Sequence, residues 1–261
     1  FSNPYTMTEN KKDFELIIEP HGKLIQINFG EIWRYKDLLE MYIKRDIVTF
    51  YKQTILGPIW FFIQPIFTTI VFMFVFGGLA KIPTDGIPQP LFYLAGITLW
   101  NYFSESLTKT SDTFLTNQAI FGKVYFPRLI APLSVTITGL IKMFIQFLVF
   151  VIVYIYFVIR GTNVGLNIYA LLFPVLIFIL ASLTLGFGII ISSLTTKYRD
   201  LKFLITFAIQ LWMYATPVIY PLSVMSGSKK YMWLIQANPL TSVMETFKYG
   251  FLGQGTFSWL A

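Results

Sequence analysis

The sequence predicts an all-α polytopic membrane protein, and both composition and patterning point to this fold class. Hydrophobic residues make up 55% of the 261 residues, and aromatic residues make up 18%. Charged residues make up only 13%, whereas a soluble domain carries about 25%. Several uncharged runs reach the roughly 20 residues with which a helix crosses about 30 Å of hydrocarbon. A soluble fold of this length has too small a core for so much apolar surface, so a bilayer is the solvent that fits.

The N-terminal part of the chain is polar and precedes the first span. Residues 1–30 are expected to be cytoplasmic, and the β-prone stretches 16–19 and 23–28 predict a small hairpin. Residues 31–57 change to a helical period with cations on the other faces, which predicts an amphipathic helix in the membrane interface. An ordinary surface helix is the alternative. The apolar positions are Ile32, Trp33, Leu38, Leu39, Tyr42, Ile43, Ile47 and Phe50.

Five spans are predicted in a transmembrane domain at residues 58–220, namely 59–80, 91–111, 133–159, 168–194 and 203–220. The second is the weakest, because it includes Glu105 and Lys109. Their i,i+4 spacing predicts an ion pair near the interface, and a role in transport is the alternative. Lys142 in the third span must face protein, water or an interface, because a cation in lipid is costly. Pro217 is expected to break the fifth span near its end.

The distribution of lysine and arginine predicts the orientation. Most of them lie before the first span, between the second and third, and between the fourth and fifth. The positive-inside bias places these segments, and therefore the N-terminus, in the cytoplasm. Residues 221–261 contain only short apolar pieces broken by proline, glycine and charge, which predicts two short re-entrant or interfacial helices on the opposite side.

The sequence lacks the motifs of catalysis and metal binding. It contains no cysteine and a single histidine, His21, which excludes thiolate and histidine metal clusters. Neither a G-x-x-x-x-G-K-[ST] phosphate loop nor a His-Glu-x-x-His pattern occurs. We therefore predict no catalytic residue, no metal site and no cofactor bound by this chain. The net charge of +7 is assigned to contact with anionic membrane lipids and not with nucleic acid.

An ordered set of short motifs adds a family resemblance. The motifs are YKQTILGPIW at 51–60, QP at 64–65, GITLWNYF at 96–103, KVYFPR at 123–128, YRD at 198–200, TPVIY at 216–220 and NPL at 238–240. In this order they closely resemble the membrane subunit of polysaccharide-exporting ABC transporters of the ABC-2 type. Members of that family export O-antigen, capsule or teichoic acid chains on a lipid carrier.

The resemblance implies an assembly larger than this chain. It implies six transmembrane helices per subunit, a homodimer in the bacterial inner membrane, and two separate ATPase subunits that bind ATP–Mg. The substrate would be an undecaprenyl-diphosphate-linked glycan that moves through a channel between the protomers. Residues 221–261 correspond to the family's periplasmic gate hairpin, so the sixth span is missing from this chain and is expected to follow residue 261.

Three groups of site residues follow from these expectations. Aromatic faces suit a sliding glycan, and the predicted channel residues are Trp60, Phe61, Trp100, Tyr102, Phe103 and Tyr214. Interface belts and lipid contact are the alternative for each of them. The basic, aromatic loop after the second span is predicted to couple to the ATPase, with interfacial anchoring as the alternative. Its residues are Gly122, Lys123, Tyr125, Phe126 and Arg128.

The third group consists of cations for the lipid pyrophosphate, namely Arg34, Lys44, Arg45 and Lys52. Anchoring to lipid headgroups explains these four equally well. Three other functions stay open: an ABC-2 exporter of a drug, haem or lipid, a secondary transporter, and a membrane-embedded glycosyltransferase. A secondary transporter usually shows repeats and midplane charges, and no repeat is visible here. A glycosyltransferase needs carboxylates and usually a metal site, and the absence of such a site from the sequence argues against this function.

Overall fold

The computed structural model describes residues 29–52, 57–162, 164–225, 233 and 235–253, and within them it contains helices and no strand. The predicted hairpin at residues 16–28 lies outside the described residues. The helices are α1 (Phe29–Arg34), α2 (Lys36–Lys52), α3 (Trp60–Phe72), α4 (Gln89–Ser111), α5 (Thr113–Thr116), α6 (Gln118–Phe121), α7 (Ile130–Ile159), α8 (Phe173–Lys197), α9 (Leu201–Tyr214), α10 (Leu222–Met225) and α11 (Pro239–Leu252).

Within the region predicted as one amphipathic helix at 31–57, the described residues 31–52 form two helices, α1 and α2, separated by a turn at Tyr35. α2 lies across the start of α7 and buries the ring of Tyr42 against Phe126, Ile130 and Ala131. Its cationic side chains, such as Lys44, remain exposed. Leu38, Leu39 and Tyr42 of the apolar stripe therefore pack on the bundle. Trp33 of the same stripe is 75% exposed.

Three helical segments of the described chain are long and apolar enough to cross a membrane: Trp60–Leu79, Ile130–Ile159 and Ile168–Lys197. The first continues from α3 into a π-helical stretch, Met73–Leu79, and the third begins with a short 3-10 turn, Ile168–Leu172. They lie where the first, third and fourth spans are predicted.

The fifth predicted segment is a shorter helix than 203–220. α9 ends at Tyr214, so its 14 residues extend about 21 Å at 1.5 Å per residue, less than the roughly 30 Å hydrocarbon layer. The chain leaves the helix before Pro217, which has no N–H to continue it.

α4 occupies the centre of the bundle and contacts α3, α7, α8, α9 and α11. Every residue from Leu91 to Phe103 except Asn101 is buried. Its weak apolar signal in the sequence has a physical cause, because a helix surrounded by protein does not need a lipid-facing apolar surface. Threonines such as Thr98 satisfy their hydroxyls within the helix, here by donating to the Leu94 carbonyl at 2.8 Å.

At the end of the bundle opposite α2, α11 is one continuous helix where the sequence shows short apolar pieces. Asn238 caps it by accepting a hydrogen bond from the Leu240 N–H at 3.1 Å, with Pro239 at the first turn. The Asn238 amide also donates to Thr216 Oγ1 at 2.9 Å, which ties α11 to the turn after α9. Gly253 ends the helix with a positive φ of 69°. The NPL motif is thus a helix start fastened to a neighbouring element.

Close packing of α8 on α4 depends on Gly188. A Cβ at this position would lie 2.4 Å from Thr110 Cγ2, whereas a Cβ at Gly186 meets nothing within 4 Å. We expect Gly188→Ala to lower the free energy of unfolding by about 1–3 kcal/mol through overpacking. Gly186→Ala, the matched control, should leave stability unchanged or raise it. Thermal unfolding in detergent measures both, and equal midpoints for the two variants would contradict this packing.

Candidate functional site

Three charged side chains meet between α4 and α7. The Glu105 Oε1 atom accepts hydrogen bonds from Lys109 Nζ and from Lys142 Nζ, each at 2.6 Å. The Lys142 side chain is 9% exposed, whereas those of Glu105 and Lys109 are 44% and 43% exposed. The i,i+4 ion pair expected from the sequence is therefore present. Glu105 is also the ion-pair partner of Lys142 in the third predicted span, which the sequence did not reveal.

A polar cavity of about 290 Å³ adjoins this trio. We call it the α2 cavity, because α2 closes one side, while α4, α5 and α7 form the others. Besides the trio, its polar lining consists of Arg45, Asp46, Thr49, Ser106, Asp112, Thr113, Thr116, Asn117 and Thr138. Of the four cations predicted for a pyrophosphate, Arg45 belongs to this lining. Arg34, Lys44 and Lys52 are exposed elsewhere on α1 and α2.

A second opening, the α4–α9 groove, has a volume of about 550 Å³ and lies on the other side of the trio. Glu105 and Lys109 line both openings. Three aromatic side chains and four hydroxyl or amide side chains share this groove with the apolar side chains of Ile209, Leu211 and Met213. The aromatic and polar side chains are Trp100, Phe207 and Tyr214 together with Ser104, Thr108, Thr206 and Gln210.

The predicted channel aromatics fall into three places. Trp100 and Tyr214 line the α4–α9 groove. Trp60 is exposed at the start of α3, and the Phe61 ring lies 5.4 Å from Lys142 Nζ.

Tyr102 and Phe103 are buried inside the protomer. The Phe103 ring contacts the Trp212 ring at 5.3 Å, and Tyr102 Oη lies 3.5 Å from the Thr136 carbonyl. The packing of α4 inside the protomer accounts for the burial of these two side chains, so they are not expected to line a channel.

The loop between α6 and α7 presents charged and aromatic side chains at the end of the bundle that carries α2. Phe126 is buried on Tyr42 and Phe121, so it anchors the loop to α2. Tyr125 is 80% exposed and donates a hydrogen bond to Glu31 Oε1 at 3.3 Å. The negative charge of that carboxylate raises the pKa of Tyr125 above its usual value, which keeps the phenol a donor. Gly122, Lys123 and Arg128 are also exposed.

Two further cavities flank this loop. One, of about 330 Å³, lies between the loop and α1, and the other, of about 580 Å³, lies between α6 and the end of α8. Arg128 lines both. Nearby, Lys202 at the start of α9 forms an ion pair with Asp112 at the end of α4. This end of the molecule therefore offers concave, charged surfaces that a partner protein can fill.

A buried lysine that the sequence analysis missed fastens α11 to the rest of the bundle. Lys248 is 2% exposed and donates to the Pro217 carbonyl at 2.5 Å. Its ammonium lies 3.9 Å from the centre of the Phe92 ring and 3.8 Å from Glu245 Oε1. The sequence feature that could have revealed this contact is the i,i+3 pair of opposite charges, Glu245 and Lys248, in an otherwise uncharged helix.

Comparison with known proteins decides the family. The family model described as "ABC-2 type transporter" matches residues 38–252. The chain belongs to the ABC-2 type transporter family. It is therefore a multi-pass membrane subunit of a transporter, without a catalytic domain, and permeases of this family pair with ATPase subunits. Within the described residues, no group of three His, Cys, Asp or Glu side chains is placed to hold a metal ion.

Three curated relatives align along most of the chain. An "O-antigen export system permease protein RfbA" of Myxococcus xanthus is 27% identical over 221 residues, which cover 84% of this chain and 81% of that protein. A Klebsiella pneumoniae protein with the same name is 29% identical over 231 residues, covering 87% and 84% of the two chains. Another from Klebsiella pneumoniae is 28% identical over 238 residues, covering 90% and 86%.

The hydrogen bond from Lys248 to the Pro217 carbonyl is expected to hold α11 in place. Replacing Lys248 by Met keeps the length of the side chain but leaves a buried carbonyl without its donor, at a cost of about 1–3 kcal/mol. We expect hydrogen–deuterium exchange at the amides of α11 to become faster. Lys81→Met, which removes an exposed charge, is the control. Unchanged exchange in α11 of the Lys248→Met protein would show that the contact does not hold the helix.

Proposed function

We propose that this chain is the transmembrane permease subunit of an ABC transporter that exports lipid-linked polysaccharide across the bacterial inner membrane. The observation that carries the proposal is the alignment of O-antigen export permeases along 84–90% of the chain. The glycan is proposed to be O-antigen-like and attached to undecaprenyl diphosphate.

The α4–α9 groove is compatible with a glycan cargo. Tyr214 is exposed and offers an aromatic face that can stack on a sugar ring, and side chains such as Gln210 can exchange hydrogen bonds with sugar hydroxyls. In this proposal two copies of the chain form a homodimer, and their grooves line one channel.

The loop at 122–128 is proposed to contact the ATPase subunits. Lys123, Tyr125 and Arg128 are exposed, and cavities lie on both sides of the loop. We propose that two ATPase subunits that bind ATP–Mg occupy this end of the dimer and that the N-terminus is cytoplasmic. The buried ring of Phe126 holds the loop against α2, so force on the loop would pass to the bundle.

Copurification and ATP turnover test the proposal. The chain, expressed in its native host, should bring down an ATPase subunit. The reconstituted complex should hydrolyse ATP faster when lipid-linked glycan is added. Stimulation by a drug or haem but not by the glycan would show that the cargo is that compound and not a polysaccharide. Transport driven by an ion gradient without any ATPase would refute the ABC assignment for this chain.

Glycan export should depend on Tyr214 in the α4–α9 groove. We expect Tyr214→Leu to lower the export rate about two- to tenfold, because one stacking surface is lost. Tyr156→Leu is the matched control, since Tyr156 is exposed on α7 and does not line the groove. Surface glycan is measured with both variants at equal expression. Equal export by the two proteins would identify Tyr214 as a lipid-facing residue.

ATPase coupling should depend on Arg128. We expect Arg128→Ala to reduce glycan-stimulated ATP turnover several-fold without affecting membrane insertion, because interface arginines contribute strongly to binding. Phe126→Ala should act in the same direction by releasing the loop from α2. Arg160→Ala, at the opposite end of the bundle, provides the control. Wild-type turnover in the Arg128→Ala complex would place the contact with the ATPase elsewhere.

A further inference from the structure

The formal charges that line the α2 cavity sum to zero. The lining contains three cations and three carboxylates, namely Arg45, Lys109, Lys142, Asp46, Glu105 and Asp112. Lys109 and Lys142 both form ion pairs with one oxygen of Glu105. Arg45 forms an ion pair with the neighbouring Asp46. A lining without net charge suits a ligand without net charge, because a charge that is removed from water without a counter-charge is costly.

Two buried polar atoms of this lining have no hydrogen-bond partner among the described residues. The first is Oδ1 of Asp112, a carboxylate oxygen that accepts hydrogen bonds, while Lys202 bonds to the other oxygen from outside the lining. The second is the hydroxyl Oγ1 of Thr138, a residue that is 4% exposed. Buried polar atoms without a partner are uncommon in folded proteins. A ligand that offers both a hydrogen-bond donor and an acceptor would satisfy both atoms.

The polar groups of the cavity follow a fixed order along the bundle. Glu105 and Lys109 lie within α4, and Asp112 follows its last residue at the end of the bundle that carries α2. At 1.5 Å per residue, Asp112 lies about 4.5 Å beyond Lys109 along the helix axis. Thr138 and Lys142 lie one helical turn apart on α7, so they share one face of that helix. The outermost group is therefore an acceptor, and the lysines and the hydroxyl lie further in.

This order matches the headgroup of a zwitterionic phospholipid. In a phosphoethanolamine group the ammonium is outermost, the phosphate follows, and the acyl chains lie deepest in the membrane. The ammonium would donate to Asp112 Oδ1, and the phosphate would accept from Thr138 Oγ1 and face Lys109. The volume of about 290 Å³ is at the lower end of the roughly 300–1,000 Å³ of ligand pockets, so it suits a headgroup without its acyl chains. Lys109 is 43% exposed, which leaves the chains a way out on its side.

We propose that the α2 cavity binds a zwitterionic phospholipid with a primary ammonium, namely phosphatidylethanolamine. Asp112 accepts from the ammonium, and Thr138 donates to the phosphate. Lys109 and Lys142 keep their contacts with Glu105 and face the phosphate. A choline headgroup carries the same charges but no N–H, so it would leave Asp112 Oδ1 without a partner. The site does not depend on the cargo of the transporter.

Binding of short-chain phospholipids to the purified full-length protein in detergent tests the site. The probes are dihexanoyl phosphatidylethanolamine and dihexanoyl phosphatidylcholine, which differ only at the nitrogen. We expect the wild type to bind the ethanolamine lipid about tenfold more tightly, because it makes one more charge-assisted hydrogen bond. Asp112→Ala should lose this preference. Thr138→Val should weaken the binding of both lipids several-fold and keep the preference, because the two lipids carry the same phosphate.

Two variants that leave the proposed contacts in place serve as controls. Asp37→Asn removes an exposed carboxylate of α2 that does not line the cavity. Lys202→Met removes the partner of the other Asp112 oxygen and leaves Oδ1 available. Both variants should prefer the ethanolamine lipid as the wild type does.

Several results would overturn the site. Equal binding of the two lipids by the wild type, or a preference that persists in Asp112→Ala, would show that Asp112 does not recognise an ammonium. Equally tight binding of anionic dihexanoyl phosphatidylglycerol would show that lipids adsorb without selection. Equal affinity for glycerophosphoethanolamine, which has no acyl chains, would assign the cavity to a soluble ligand and exclude the lipid. If Asp112→Ala does not fold, undiminished binding of both lipids by Thr138→Val would contradict the site.

Discussion

The other helices of the bundle depend on the burial of α4. This helix carries Asn101, Glu105, Lys109 and several hydroxyl groups, so it is too polar to face lipid, and α3, α7, α8, α9 and α11 surround it. In an apolar layer, each polar group must find its partner within the protein. Many polar groups of α4 are bonded within the helix or to neighbours, as in the hydrogen bond from Thr195 Oγ1 of α8 to the Ser111 carbonyl at 2.7 Å. Tyr93 Oη, Asn101 Nδ2 and Thr110 Oγ1 are buried without a hydrogen-bond partner among the described residues. Close contact at Gly188 then brings α8 against it.

Two buried lysines, at opposite ends of the bundle, each donate a hydrogen bond to an acceptor elsewhere in the protein. Lys142 reaches a carboxylate 37 residues away in the sequence, and Lys248 reaches the carbonyl that the end of α9 leaves free. In both places the ammonium joins helices that are distant in sequence. The first contact lies beside an accessible cavity, whereas the second is enclosed.

The sequence predicted the helices that face lipid more completely than those that face protein. The uncharged runs of α3, α7 and α8 indicated these helices directly, because lipid contact demands apolar side chains all round. The apolar signal of α4 was weak. That of α11 was interrupted by Glu245 and Lys248, and the ammonium of Lys248 finds its hydrogen-bond acceptor, the Pro217 carbonyl, outside its own helix. Spacing predicted the pair of Glu105 and Lys109, but not the partner of Lys142 on another helix. Aromatic identity alone did not separate Tyr214, which is exposed in the groove, from the buried rings of Trp100 and Phe103.

The attachment of α9 has a mechanical consequence. Its start is held by the ion pair between Lys202 and Asp112, and the turn after its end is held by Asn238, yet Ile209 is its one buried residue. The helix is thus attached at both ends, and between them Ile205, Ile209 and Trp212 pack against the core. Movement of its middle away from α4 would separate these apolar contacts while both end attachments hold. The width of the α4–α9 groove therefore depends on a small number of apolar contacts.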